Sequence, residues 1–218
     1  MSRMKIVFVH GLGQNAQSWD NVISFMPEQF SAVCPDLFSL PSGNAPDYQN
    51  LYRDFSDYCD LMPEPINLCG LSLGGVLALN YAIDHPARVK ALSLIGAQYN
   101  MPKTLLKLQA IIFNLMPKFV YKKQGVEKKE FLKTMLSLTS SMTGLDFTAK
   151  LKDISCPVIV ICGDKDGANK KAARDLAKNI PNAKINIMEK TGHEVNVESP
   201  ENLANLLSVF YNDLSETG

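Results

Sequence analysis

A serine lies in a turn whose composition suits nucleophilic catalysis. Residues 70–75 have the sequence Gly-Leu-Ser-Leu-Gly-Gly and stand between two apolar runs. This pattern predicts a strand, a very tight turn and a helix, with Ser72 projecting from the end of a sheet in a strained conformation. Gly70 and Gly74 supply the small residues that such a turn needs where strand and helix approach each other. The alternative is that Ser72 only caps an ordinary helix.

A nucleophilic serine needs a base to take its proton, and the chain has three histidines. We predict that His193 is the base, because it follows the last predicted strand and has a glycine beside it. His10 precedes a glycine-rich turn and is expected to support that loop. His85 comes at a helix end before a proline and is expected to be structural. A histidine in a loop is commonly structural as well, but the position of His193 after Ser72 and after an acidic strand end favours catalysis.

The carboxylate that orients such a base is expected in the Gly-Asp-Lys-Asp turn at residues 163–166. We predict Asp166, because Asp164 lies nearer the strand and is expected to bond backbone N–H groups within the turn. Asp164 remains the alternative acid. The backbone N–H groups of Leu12 and Leu73 are predicted to form the oxyanion hole.

Strands alternate with helices along most of the chain, and this order predicts how those residues are positioned. Apolar runs typical of buried parallel strands lie at residues 6–9, 31–34, 66–69, 89–95, 157–162 and 185–188. Helices are predicted at residues 19–26, 47–61, 76–83, 168–180 and 200–214. The fold class is therefore α/β, a mostly parallel, doubly wound sheet of about six strands with helices on both faces. Ligands of such sheets bind beyond the carboxyl ends of the strands, where Ser72, Asp166 and His193 are expected.

One stretch breaks this alternation, since no convincing strand is found from Ala97 to Leu151. We interpret residues 98–150 as a helical lid inserted into an α/β core of residues 1–97 and 151–218. Apolar residues from Leu105 to Met116 cover most of a helix's circumference, which favours a helix buried on two sides or one lining an apolar pocket. The substrate pocket is predicted to include Trp19, Leu106, Ile112, Phe113 and Met135.

The predicted lid is basic, although the whole chain has a formal net charge of zero. Residues 103–152 contain ten lysines and three acidic residues, a net charge of +7, so the rest of the chain carries −7. Such a stretch indicates either a solvated face or a patch that attracts an anionic or carrier-bound acyl substrate.

The composition bounds the class of protein. Apolar residues make up 46% of the chain and charged residues 20%, as in a soluble, single-domain globular protein. No segment approaches the ~20 apolar residues of a membrane span, and the apolar run near the N-terminus is too short for a signal peptide. Five cysteines without metal-type spacing predict small core residues in a reducing compartment. We therefore expect a cytoplasmic protein without a metal, a cofactor or a nucleic-acid partner, and the sequence leaves the oligomeric state open.

Taken in order, these motifs resemble the α/β-hydrolase fold family, in particular its small lidded serine esterases. The matching motifs are His-Gly-Leu-Gly at 10–13 with Trp19, Pro-Asp-Leu at 35–37, the serine turn at 70–75, Gly-Asp-Lys-Asp at 163–166, and Gly-His at 192–193 with Glu198 and Pro200. Members of the family carry their triad in the order serine, acid, histidine. The resemblance implies Ser72 as nucleophile, Asp166 as acid and His193 as base.

One loop departs from this family, and it limits what the resemblance says about substrate. Small lidded esterases usually have Asp-x-x-Gly-x-Gly-x-Ser here, whereas residues 36–43 have the sequence Asp-Leu-Phe-Ser-Leu-Pro-Ser-Gly. We predict a serine hydrolase that cleaves an ester or thioester through an acyl-enzyme. The same triad would also serve acyl transfer, carbon–carbon cleavage or a lyase reaction. The alternative from another class is a small-molecule receptor without catalytic activity.

Overall fold

The computed structural model describes residues 3–40, 47–101 and 128–216. In these ranges six strands form one sheet in which every neighbouring pair is parallel. The strands are β1 (Met4–Val9), β2 (Phe30–Val33), β3 (Ile66–Leu71), β4 (Val89–Ile95), β5 (Val158–Gly163) and β6 (Lys184–Met188). Their order across the sheet is β2-β1-β3-β4-β5-β6. The predicted α/β class and parallel sheet are confirmed.

Helices follow the strands as the alternation predicts. They are α1 (Asp20–Ser24), α2 (Tyr48–Asp60), α3 (Leu73–Asp84), α4 (Lys128–Ser141), α5 (Lys170–Asn179), α6 (Val195–Glu198) and α7 (Pro200–Glu216). Short 3-10 turns lie at Ala16–Trp19, Pro86–Arg88 and Thr148–Asp153. Within the described ranges, no helix is both long enough and apolar enough to cross a membrane.

The sheet is covered by an apolar layer on each side. Val7 and Val9 of β1 belong to the layer that contains the buried residues of α2 and α3. Ile6 and Phe8, which point the other way, belong to the layer that contains α7 and Trp19. All six residues of β3 and of β5 are buried, which explains why β5 is a continuous apolar run and why β3 has apolar residues on both faces instead of alternation.

The strand register brings the predicted site residues to one edge of the sheet. Val9 of β1 pairs with Gly70 of β3, and Leu71 pairs with Ile95 of β4. The residues that follow these strands therefore lie next to one another. Gly163 at the end of β5 pairs with Met188 of β6, so the loops that carry Asp166 and His193 also leave the sheet side by side.

The two ends of the predicted lid are joined by backbone hydrogen bonds. Met101 N–H donates to the Leu145 carbonyl and Phe147 N–H donates to the Tyr99 carbonyl, each at 2.9 Å. Residues 99–101 and 145–147 therefore lie side by side. At the far end of α4, Ser141 Oγ accepts a hydrogen bond from the first backbone N–H of α2, on Tyr48, at 2.8 Å. The division into core and lid remains a prediction.

The five cysteines are unpaired. Cys59, Cys69 and Cys162 are buried, and Cys34 and Cys156 are partly buried. Burial raises the pKa of every one of these thiols, to about 12 for Cys34 and to about 11 for Cys156 and Cys162. They are the protonated, inward-facing residues that their apolar surroundings predict.

Candidate active site

Ser72 is the single residue between β3 and α3, and its backbone is left-handed. Its φ is 52° and its ψ is −114°, values that few residues other than glycine adopt. Its N–H donates to the carbonyl of Ile95 at 2.8 Å, which ties the turn to the end of β4. The residue is only partly buried, so a tight turn holds its hydroxyl at the surface of the sheet edge.

Gly70 and Gly74 allow this turn because the backbone is too crowded for a side chain at either position. A Cβ built on Gly70 would lie 2.6 Å from the backbone nitrogen of Gly75. A Cβ on Gly74 would lie 2.7 Å from the carbonyl oxygen of His10. Strand, helix and first loop thus meet beside Ser72, as the sequence predicts.

Asp166 and His193 form a hydrogen-bonded pair. Asp166 Oδ2 and His193 Nδ1 are 2.7 Å apart, and the carboxylate side chain is 5% exposed while the ring is 40% exposed. Burial alone raises the pKa of Asp166, but hydrogen bonds from His193 and Asn169 outweigh it and hold that pKa below its usual value. The carboxylate is therefore ionised at neutral pH and accepts the ring's N–H.

The end of β4 brings Ser72 close to this pair. Ser72 is bonded to Ile95, and the next residue, Gly96, lies against the imidazole. A Cβ built on Gly96 would be 3.1 Å from His193 Nδ1 and 3.4 Å from Asp166 Oδ2. Within the described residues no hydrogen bond joins the Ser72 hydroxyl to the ring. Such contacts are commonly long in free enzymes and shorten when substrate binds.

Two further carboxylates hold the loop that carries His193. Asp164 Oδ1 accepts from Thr191 N–H at 3.0 Å, and hydrogen bonds from the Lys190 and Thr191 backbone lower its pKa. The sequence predicted that Asp164 bonds backbone groups within its own turn. The structure corrects this, because the acceptor reaches across to the loop after β6. Glu198, which follows His193 in the chain, accepts a hydrogen bond from Gly192 N–H at 2.7 Å.

The other two histidines have internal partners. His10 is fully buried, its Nε2 accepts from Leu37 N–H at 3.0 Å, and its Nδ1 donates to the Gly11 carbonyl at 2.9 Å. Burial lowers the pKa of His10, which keeps the ring neutral. His85 stacks on Tyr81 with ring centroids 4.5 Å apart. Both histidines support the fold, as the sequence predicts.

Known proteins share the sequence pattern and the fold of this chain. Residues 6–206 match the sequence profile of the alpha/beta hydrolase family. The chain belongs to the alpha/beta hydrolase family. The hydrolase is 24% identical to the monoacylglycerol lipase abhd6-B of Xenopus laevis, over 99% of this chain and 77% of that protein. It is 26% identical to the pimeloyl-[acyl-carrier protein] methyl ester esterase of Legionella pneumophila (strain Corby), over 87% of each chain.

A solved structure supports the fold of the hydrolase. MenH from S. aureus superposes with a TM-score of 0.77 at 17% identity, and the match covers 99% of this chain and 96% of that one. At this level of identity the likeness concerns the arrangement of strands and helices. It agrees with the single parallel sheet described above.

The first loop of the hydrolase, residues 10–14, lies beside the serine. A Cβ built on Gly11 would be 3.4 Å from the Cβ of Ser72. Within the described residues, neither Leu12 N–H nor Leu73 N–H donates a hydrogen bond to the protein. Both predicted oxyanion donors are thus uncommitted.

The predicted pocket residues fall in three different places. Trp19 is fully buried, with its ring centroid 5.0 Å from that of Phe8, so the structure places it in the core and away from an accessible pocket. Met135 in α4 is 3% exposed. Leu106, Ile112 and Phe113 lie outside the described residues. Among the residues that are described, no group of three or more His, Cys, Asp or Glu side chains could hold a metal ion.

Sequence reasoning missed the side-chain amides around the hydrolase site. Gln14 Nε2 donates to Glu194 Oε1 at 3.0 Å and to Asn196 Oδ1 at 3.3 Å, which ties the first loop to the segment after His193. Asn169 donates to the carboxylate of Asp166. Asn169 comes three residues after Asp166, a spacing at which a carboxylate often accepts local hydrogen bonds. This spacing is the sequence signal that could have identified Asn169.

Proposed function

We propose that this hydrolase cleaves an ester or thioester acyl bond through a serine-bound acyl-enzyme, with Ser72, His193 and Asp166 as its triad. One observation carries the proposal. A half-exposed histidine paired with a buried carboxylate lies over Gly96, and the residue before Gly96 is hydrogen-bonded to a serine held in a left-handed turn. A nucleophile, a base and an orienting acid on adjacent strand ends are the requirements for acyl transfer to serine.

The first half of the reaction uses Nε2 of the His193 ring. Because Nδ1–H donates to Asp166, the lone pair on Nε2 is available to take the proton of the Ser72 hydroxyl as its oxygen attacks the acyl carbonyl. The ionised carboxylate stabilises the imidazolium that forms. The backbone N–H groups of Leu12 and Leu73 donate hydrogen bonds to the negative oxygen of the tetrahedral intermediate.

The second half returns the enzyme to its starting state. The imidazolium of His193 gives its proton to the departing alkoxide or thiolate, and the acyl group remains on Ser72. A water molecule then loses a proton to Nε2 and attacks the acyl carbon. Collapse of the second intermediate releases the carboxylic acid and restores the serine hydroxyl.

Relatives and charge favour a particular class of acyl substrate. The names of the two curated relatives denote ester hydrolases, a monoacylglycerol lipase and a methyl ester esterase. The basic stretch at residues 103–152 favours an anionic or carrier-bound acyl group. Leu106, Ile112, Phe113 and Met135 remain predicted pocket residues. Unpaired, protonated cysteines fit a reducing cytoplasm.

Turnover of a short p-nitrophenyl ester by the Ser72→Ala variant tests the proposal. We expect kcat to fall by several orders of magnitude, on the order of 10⁶ for the nucleophile of a comparable triad, with an unchanged unfolding midpoint. Ser155→Ala is the matched control, because Ser155 is exposed near the opposite end of β5 and should keep full activity. More than about a tenth of wild-type activity in Ser72→Ala would contradict the assignment.

A fluorophosphonate separates a hydrolase from a receptor on the same fold. We expect this reagent to add one group to the wild-type chain and none to Ser72→Ala, as measured by intact mass. Labelling without ester turnover would mean that Ser72 is an activated nucleophile and that the physiological substrate belongs to another chemical class. Absence of both would favour the receptor.

A further inference from the structure

The amide of Asn169 contacts both members of the acid–base pair. Its Nδ2 lies 2.9 Å from Asp166 Oδ1, 2.8 Å from Asp166 Oδ2 and 3.1 Å from His193 Nδ1. Its backbone N–H lies a further 3.3 Å from Asp166 Oδ1. Asn169 is 8% exposed and immediately precedes α5.

Gln98 determines which way this amide points. Gln98 Nε2 lies 3.3 Å from the Ala168 carbonyl oxygen and 2.7 Å from Asn169 Oδ1. A backbone carbonyl only accepts, so the NH₂ group of Gln98 must face it, and the oxygen of Asn169 must then face Gln98. The NH₂ group of Asn169 is left toward Asp166. The same orientation follows independently from the ionised carboxylate, which can only accept.

The contact between Asn169 and the ring defines two competing arrangements. If Nδ1 of His193 accepted from the amide, the ring proton would lie on Nε2, and the ring could not take a proton from Ser72. If the amide gives both hydrogens to Asp166, the carboxylate is fixed and its Oδ2 accepts the proton on Nδ1. The 2.7 Å distance between Oδ2 and Nδ1 is the shorter contact and favours the second arrangement.

We infer that Asn169, oriented by Gln98, is a positioning residue that fixes the carboxylate of Asp166 and thereby keeps the ring proton of His193 on Nδ1. This inference rests on the proposed function, because it assigns the Nδ1–H tautomer a purpose in the reaction of Ser72. Neither amide touches the reacting atoms. They act through the carboxylate, and Gln98 and Asn169 come from segments that follow two different strands, β4 and β5.

The test measures the ring tautomer directly. The chain has only three histidines, so ¹⁵N-histidine labelling gives three sets of signals, and His193→Ala identifies the third. Two-bond ¹H–¹⁵N correlation at about pH 8, above the usual histidine pKa of ~6.5, reports which nitrogen carries the proton. We expect the Nδ1–H form to dominate in the wild type.

Two variants change the polarity of the amides with little change in size. In Asn169→Leu the donors are removed, and in Gln98→Glu an acceptor replaces the donor that orients Asn169. We expect both to lower the Nδ1–H fraction and to lower kcat on the order of tenfold, the effect of losing a hydrogen bond to a charged group, with KM little changed. Asn100→Asp is the control, since Asn100 lies two residues from Gln98 and pairs with Asp146 instead. It should leave the tautomer and kcat as they are.

An unchanged tautomer in Asn169→Leu and Gln98→Glu would overturn the inference, even if the unfolding midpoint fell, because the amides would then only stabilise the turn. If Asn169→Leu does not fold, Gln98→Glu carries the test. The spectra need no substrate, so they are separate from the proposed function. If Ser72→Ala kept its activity while the tautomer still responded to these variants, the proposed function would fail and the effect of Asn169 on the ring would stand.

Discussion

The first loop, residues 10–14, and the last loop, residues 189–194, each place a histidine at the same edge of the sheet, yet the two rings have opposite surroundings. The side chain of His10 is 0% exposed and both of its nitrogens have backbone partners. The side chain of His193 is 40% exposed and, among the described residues, only its Nδ1 has a partner. Proton transfer needs a nitrogen with an unused lone pair, and only the last loop provides one.

The turn after β5 repeats this contrast with carboxylates. Asp164 and Asp166 are two residues apart, and hydrogen bonds lower the pKa of both. Asp164 accepts hydrogen bonds from backbone N–H groups alone, whereas Asp166 accepts from the His193 ring and the Asn169 side-chain amide as well as from the Asn169 backbone N–H. The residue type is the same in each case, and of the two carboxylates Asp166 is the one hydrogen-bonded to His193.

A crossed pair of histidine variants tests the comparison with the largest expected effect. His193→Ala should lower kcat on the order of 10⁶, as loss of the base does in a comparable triad, and should change the free energy of unfolding little. His10→Ala should do the reverse. It leaves Leu37 N–H and the Gly11 carbonyl without partners in the core, which should cost about 1–3 kcal/mol of stability.

Ester turnover and urea denaturation of both variants provide the measurement. A loss of kcat in His10→Ala equal to that in His193→Ala would contradict the division between the two loops.

The two aspartates of the turn should differ by a smaller but still large factor. Asp166→Asn should lower kcat on the order of 10⁴, because the amide cannot hold the Nδ1–H tautomer. Asp164→Asn should lose far less, since it only loosens the loop at Thr191. Comparable losses from both changes, in the same p-nitrophenyl ester assay, would leave no distinction between them. A larger loss at Asp164 would reverse the assignment.

The smallest expected effect concerns pH and the buried ring of His10. Burial lowers its pKa in the folded chain below the ~6.5 of the unfolded chain. As the pH falls below about 6.5, the unfolded state takes up a proton that the folded state does not, so stability declines. Above about pH 6.5 the His10 ring is neutral in both the folded and the unfolded chain, so its titration no longer lowers the free energy of unfolding.

We expect the free energy of unfolding to fall toward pH 5 in the wild type, with a slope from His10 of at most about 1.4 kcal/mol per pH unit. His10→Gln should flatten this slope, as urea midpoints across the range would show. The same slope in the wild type and in His10→Gln would mean that a group other than His10 causes the pH dependence.

The strands and the tight turn at Ser72 could be predicted because their signals are local. Continuous apolar runs such as that of β5 occur where a parallel strand is buried on both faces, and the carboxyl ends of such strands meet at one edge. The serine turn needs glycines at fixed spacing, and the chain supplies them at Gly70 and Gly74. Each of these features is determined within a few residues of sequence.

The remaining features depend on how distant segments approach each other. Trp19 follows a glycine-rich loop, a pattern that suits a pocket aromatic as well as a core residue. The 3-10 turn at Ala16–Trp19 directs it into the core. Gln14 and Asn196 bond to each other although they are 182 residues apart. No periodicity marks either amide, so only the folded chain identifies them.

The five thiols of this protein report on its local unfolding. Thiol reagents attack the thiolate, and burial with a raised pKa slows their reaction with all five cysteines in the folded chain, most of all with the fully buried Cys59, Cys69 and Cys162. Cys69 and Cys162 lie within β3 and β5, Cys59 lies in α2, and Cys34 and Cys156 stand just outside the ends of strands. The rates at which these positions become modified under native conditions therefore compare the opening of the strand ends with that of the sheet centre, without any engineered probe.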